Sequence, residues 1–257
     1  MKSRHLISVL AGASAGLLLF LASEAPAQTT PIRVLASNGV RALLEELRQQ
    51  SEKVSGHPLA IQFGTSVSLK ELVGKGEPFD VAIMTAEAAD DLIKSGSLAP
   101  STRAAIGRVG IGVGIRAGAL KPDVRTPEAM KRTLLDARSV TYAQDGASRP
   151  YILEMFEALG ITDQMKAKTV LEQGSVRAAA RVTGGDAEIL LTLISEILPV
   201  QGMELVGPLP TRFQSYVSFV AGVGTKAKNA DAAKTLIAYL SGPRVATTLT
   251  AKGIERP

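Results

Sequence analysis

Four short stretches place small polar residues where a β-branched or apolar run gives way to a helical repeat. They are Ala36-Ser37-Asn38-Gly39, Gly64-Thr65-Ser66, Thr85 within IMTAEAADDL, and Gly146-Ala147-Ser148-Arg149 within YAQDGASRPYILEMF. At such a junction the first backbone N–H groups of the helix have no intrahelical partner and sit at the positive end of its dipole. A Ser, Thr or Asn side chain can cap one of them, and the donors left over suit an anion. Any one of these residues reads equally well as a simple helix cap. Taken together they predict one wall of a cleft around a small anion, because open α/β sheets bind ligands beyond the carboxyl ends of their strands. The candidate contacts are Ser37, Asn38, Thr65, Ser66, Thr85, Ser148 and Arg149. Arg149 has two readings: a planar fork that takes a carboxylate bidentately, or a solvated residue of the first helical turn.

Proton transfer would need a base in reach of the same cleft. Glu196, in LISEIL, follows a strand of the second half, and Tyr142, Asp145 and Tyr216 are the other candidates. Each has a structural alternative, which for Glu196 is an acid favoured in the first turn of a helix. Glu45-Glu46 and Asp90-Asp91 are neighbours on helix surfaces and read as solvated faces. The chain has no cysteine, no tryptophan and two histidines, His5 and His57. Zinc sites of the Cys/His kind and a Ser-centred hydrolytic triad therefore lack their parts, and neither a metal nor a cofactor is expected. Gly110-Ile111-Gly112, in RVGIGVGIRAG, is no dinucleotide loop: the period-two alternation of Val109, Ile111, Val113 and Ile115 runs straight through it, as in a strand.

The 257 residues carry 29 Lys and Arg against 24 Asp and Glu, a formal net charge of +5. The excess is mild, and the cations are spread along helical faces without interleaved aromatics. Nucleic-acid binding is disfavoured, whereas an anionic small ligand is compatible with the field. Lys2, Arg4 and His5 precede the apolar runs from Leu6 and from Leu17, and Ala25-Pro26-Ala27 follows. That order reads as a secretory signal peptide cleaved before Gln28. The expected product is a soluble, monomeric, periplasmic protein.

The elements that must position the junctions alternate along the chain. The patterns predict strands at Ile32–Ala36, Leu59–Phe63 and Val81–Met84, with helices at Val40–Ser55, from Ser66, and at Ala86–Ser95. After Pro122 come helices Thr126–Leu135, Ser148–Leu159 and Ser175–Val182 with strands Ser139–Ala143, Thr169–Leu171 and Glu188–Leu193. Gln214–Gly222 reads as a returning strand, and helices Asp231–Leu240 and Pro243–Lys252 end the chain. The fold class is α/β, with two lobes that each hold a mostly parallel sheet flanked by helices. The expected division is 1–27 signal peptide, 28–112 with 217–257 as lobe 1, and 113–216 as lobe 2. Hinge crossovers are expected near Ile111–Ile115 and Ser215–Val220.

In order along the chain, IRVLASNGV, FGTSVSLKE, FDVAIMTA, DGASRPYI, EILLTLISEILPV, ELVGPLP and GPRVATTLTAKGIE resemble the periplasmic solute-binding proteins of ABC transporters, in particular the molybdate-binding group. The resemblance covers nearly all of the chain after the leader. It implies a two-lobed periplasmic-binding fold, capture of a small anion for uptake, and an ABC-type membrane permease as partner. That group holds its oxyanion with small hydroxyls and backbone N–H groups at helix starts. Carried over by position, Ser37, Ser66 and Ala147 are the matching sites, and Thr192 stands where the group presents a tyrosine. The same group resembles periplasmic aconitate isomerases, so interconversion of trans- and cis-aconitate is the alternative activity.

Overall fold

The computed structural model describes residues 29–256. The signal peptide expected over 1–27 lies outside the described residues. Among the described residues there are nine strands: β1 Ile32–Ser37, β2 Leu59–Gly64, β3 Val81–Thr85, β4 Ala104–Arg116, β5 Val140–Ala143, β6 Thr169–Glu172, β7 Ile189–Leu193, β8 Met203–Pro208 and β9 Tyr216–Val223. They lie in the order β2-β1-β3-β9-β4-β7-β5-β6, with β8 also paired to β4.

Why the first strands read as continuous apolar runs is plain from what covers them. Every residue of β3 is buried. Val81 and Ile83 face the larger core with Ile32, Val34 and Ala36 of β1. Ala82 and Met84 face a second cluster with Leu35, Leu69, Ala88 and Leu92. Leu69 lies on helix Ser66–Gly74, and Ala88 and Leu92 lie on helix Ala86–Lys94. Helices thus cover a sheet buried on both faces, and alternation of apolar and polar residues is lost.

The thirteen-residue β4 belongs to both halves of the sheet. Residues Ala104 to Gly110 pair with β9, whereas Ile111 to Ile115 pair with β7. At that change of partner Gln214 clamps the strand: its Oε1 accepts from Ile111 N at 3.1 Å and its Nε2 donates to Ile111 O at 3.0 Å. A side chain at Gly110 would come within 3.0 Å of that amide nitrogen, so glycine leaves room for the clamp.

Parallel pairing is confined to β2-β1-β3 and β6-β5-β7. Strands β4 and β9, through which the chain leaves the first half and returns, run antiparallel to their partners, and β8 pairs antiparallel with the second-half portion of β4. Sequence patterning missed β8, an edge strand that is half-buried along most of its length and shows no alternation. It also joined Val40–Ser55 into one helix. The structure has a 3-10 turn at Asn38–Val40, then helices Arg41–Glu46 and Arg48–Ser55, with a break at Leu47 where ψ is 2°. The terminal helix expected from Pro243 begins as a 3-10 turn and becomes helical only at Ala246–Ala251.

Candidate functional site

The segments that follow β1 and β2 meet those that follow β7 and β5 across one seam, through Gly39 with Ser195 and Thr65 with Asp145. On the first side, Ser37 ends β1 in extended conformation, is buried, and makes no capping hydrogen bond with its hydroxyl. Asn38 accepts from Arg41 Nη2 at 3.2 Å, and the Arg41 guanidinium lies 4.1 Å from the centre of the Phe63 ring. Thr65 Oγ1 accepts from Ser68 N at 3.2 Å, which caps helix Ser66–Gly74. Ser66 Oγ accepts from Thr85 N at 3.0 Å, and Thr85 Oγ1 accepts from Ala88 N at 3.4 Å. A hydroxyl that accepts from a backbone N–H still owns a proton. Capping and anion binding are therefore compatible roles for Ser66 and Thr85.

On the second side, Asp145 bridges the seam. Its Oδ2 accepts from Thr65 Oγ1 at 2.8 Å and its Oδ1 from Gly174 N at 2.8 Å. Ala147 is half-buried; Ser148 is buried and makes no capping bond. Arg149 opens helix Arg149–Ala158 and is half-buried, with an Nε that has no hydrogen-bond partner. It lines a cavity of about 450 Å³ with Gln144, Asp145 and Gln173, faced across the seam by Ser68 and Glu71. A second bridge runs from Ser195 Oγ to Gly39 O at 2.7 Å.

Glu196 sits beside these contacts on the short helix Ile194–Ile197. Its Oε1 accepts from Ser175 Oγ at 2.9 Å and its Oε2 from Thr192 Oγ1. Burial of the carboxyl raises its pKa above the ordinary value; the Thr192 and Ser175 hydroxyls pull the other way, and the charge of Asp145 adds to the rise. The folded protein therefore holds this proton more tightly than the unfolded chain does. Its contribution to stability is fully present below the unfolded pKa of about 4.3 and is lost as pH rises through the folded value. Replacing Glu196 with glutamine removes that titration. The melting temperature of the variant minus that of the wild type should rise as pH is taken above about 4 and level off beyond the folded pKa; a constant difference in calorimetry would show that the carboxyl does not titrate abnormally.

Two of the candidate bases pack differently from the others. Tyr142 turns into the core, edge-on to Phe156 with ring centres 6.2 Å apart, and burial raises its pKa. Tyr216 is exposed beneath Arg108, whose guanidinium is 4.5 Å from the ring centre. No hydrogen bond joins either side chain to the seam residues named above, although the charge of Arg149 acts on the Tyr142 hydroxyl. Asp145 and Glu196 do lie at the seam. Sequence reading passed over Arg41, Ser175 and Ser195. Ser175 was within reach of it, since Gly174-Ser175 stands between β6 and helix Ser175–Gly184 like the other junctions. Among the described residues, no group of three or more His, Cys, Asp or Glu is placed to hold a metal ion.

A family model for bacterial extracellular solute-binding proteins matches residues 32–255. The chain belongs to that family. This solute-binding protein is 29% identical over 232 residues to an aconitate isomerase of a Pseudomonas species, covering 88% of each chain. It is 24% identical over 240 residues to the molybdate-binding protein ModA of Azotobacter vinelandii, covering 88% of this chain and 90% of that one. The solved periplasmic molybdate-binding protein of Azotobacter vinelandii superposes with a TM-score of 0.75 at 19% identity, over 88% of this chain and 99% of the other. The α/β fold of this solute-binding protein is thus that of the periplasmic binding proteins.

Proposed function

We propose that this protein captures a small anion, an organic carboxylate or a molybdate-like oxyanion, between two lobes in the periplasm and delivers it to an ABC-type permease. The lobes are 28–112 with 217–257 and 113–216, hinged at the crossovers near Ile111–Ile115, where β4 changes partners, and Ser215–Val220. The observation that carries the reading is the set of uncommitted donors at facing strand ends. The Ser37 and Ser148 hydroxyls cap nothing, Ser66 and Thr85 keep their protons, and Arg149 has an unpartnered Nε. Ala147 and Thr192 complete the candidate contacts, and no cofactor is required.

The test is a thermal-shift panel of molybdate, tungstate, sulfate, citrate and both aconitates. An anion present at about a hundred times its dissociation constant adds about 2.7 kcal/mol of stability. In a domain of this size that moves the melting temperature by several degrees. Ser37→Ala and Arg149→Ala should each weaken the stabilising anion by roughly 1.5 to 3 kcal/mol, the range for hydrogen bonds to a charged group. A panel without any shift would refute anion capture.

A second reading is favoured by Glu196. A carboxyl with a raised pKa beside an anion cleft is poised to take and return a proton, as isomerisation of an aconitate requires. The aconitate isomerase relative supports the same activity. NMR of trans-aconitate with the purified protein decides between them: appearance of the cis isomer, lost in Glu196→Gln, establishes the isomerase.

A further inference from the structure

Beside the seam lies a cavity of about 210 Å³ whose lining mixes chemistries that an inorganic oxyanion does not need. Arg41 and Asn38 enter it from the first half, Ser175 and Glu196 from the second, over an apolar floor that includes Ala179 and Val200. Its volume equals about seven waters at ~30 Å³ each, well below the roughly 300 Å³ at which pockets for drug-sized ligands begin. Arg41 is held in place by the Phe63 ring, by Asn38 Oδ1, and by Glu45 at 3.6 Å, while its Nε has no partner. The oxygens of Glu196 accept from the Ser175 and Thr192 hydroxyls and from the Leu193 backbone N–H, which leaves one lone pair for a further donor.

A fully deprotonated oxyanion offers only acceptors. Against Glu196 it would meet oxygens that already act as acceptors toward Ser175 and Thr192, and against the apolar floor it would lose water without compensation. A small organic acid matches the same surface: carboxylate to guanidinium, carbon skeleton to floor, and a hydroxyl or acid proton to Glu196. We propose that this cavity selects small organic acids that carry a proton donor, with Arg41 binding the carboxylate and Glu196 rejecting inorganic oxyanions. The inference rests on the anion-cleft reading above and names its ligand class.

Titration calorimetry of the full mature protein at neutral pH tests it, with citrate and malate, which each carry a hydroxyl, as donor-bearing organic probes, trans-aconitate, which is fully ionised and has no hydroxyl, as the donor-free organic control, and molybdate and sulfate as inorganic probes. The tighter donor-bearing probe should bind the wild type at least about tenfold more tightly than either oxyanion, the value of one charge-assisted bond. Arg41→Ala should lose about tenfold for that probe. Glu196→Gln should narrow the gap by gaining affinity for sulfate or molybdate; circular dichroism establishes that both variants are folded. The comparison of probes on the wild type needs no variant at all. Molybdate, sulfate or trans-aconitate binding more tightly than both donor-bearing probes would overturn this inference and leave anion capture standing. Failure of all five probes to bind the folded wild type would overturn anion capture itself, and this selectivity with it.

Discussion

Replacing Asp80 with alanine is expected to cost about 4 kcal/mol of folding stability, because it strips a buried anion from three backbone donors at once. The Asp80 side chain is fully buried at the start of β3. Its Oδ2 accepts from Arg33 N at 2.9 Å, and its Oδ1 accepts from Lys228 N at 2.7 Å and Asn229 N at 3.2 Å. The Arg33 guanidinium lies 3.6 Å away. One carboxylate thus ties β1, β3 and the turn before helix Ala230–Ser241 together. Burial alone would raise its pKa, yet the three N–H donors and the Arg33 charge outweigh it and hold the pKa below the ordinary value. A depressed carboxylate pKa adds stability above the unfolded value, about 3.9, and that stability is lost as pH falls through the folded value. The variant should therefore melt about 10 °C lower than the wild type at neutral pH, with the gap closing only below about pH 4. A loss under 1 kcal/mol in chemical denaturation would mean that water replaces the carboxylate without penalty.

Asp80 also shows where sequence reading stops. Nothing in GEPFDVAIMT separates it from a turn residue, since its partners lie 47 and 148 positions away. The strand-to-helix junctions were legible because their signal is local: an apolar run, a small polar residue, then a helical period. Thr65 and Thr85 cap as that chemistry predicts. The same local signal could not say that Ser37 and Ser148 would cap nothing, nor that Asp145 would reach across to Thr65. Those facts depend on how the halves face each other. Strand β8 escaped for a related reason, since an edge strand is not obliged to alternate when its neighbours half-cover both faces. The position of Glu196 after a strand end is visible in LISEIL, but its hydrogen bonds to Thr192 and Ser175 depend on the fold.

Gly39→Ala is expected to cost about 3 kcal/mol of stability and to remove anion binding along with it. Gly39 lies in the 3-10 turn after β1 and accepts the Ser195 hydroxyl that crosses the seam. A Cβ there would come within 2.4 Å of Phe219 Cζ and 3.0 Å of Leu193 Cδ1. The Phe219 ring has no room to retreat, because it is fully buried in β9, and Leu193 is buried at the end of β7. Relief must come from the turn moving away from β7, which lengthens the Ser195 to Gly39 bond and displaces Ser37 and Asn38 from the facing donors. Overpacking of a rigid core costs typically 1–3 kcal/mol, and here the strain falls on the contact that registers the two walls. The second substitution Phe219→Leu removes the ring atom that clashes. Phe219→Leu alone should cost about 1 kcal/mol, yet in the Gly39→Ala background it should restore stability and part of the affinity, a coupling of roughly 0.5–3 kcal/mol. Additive losses in the double variant would show that the glycine serves its own turn and does not set the spacing of the walls.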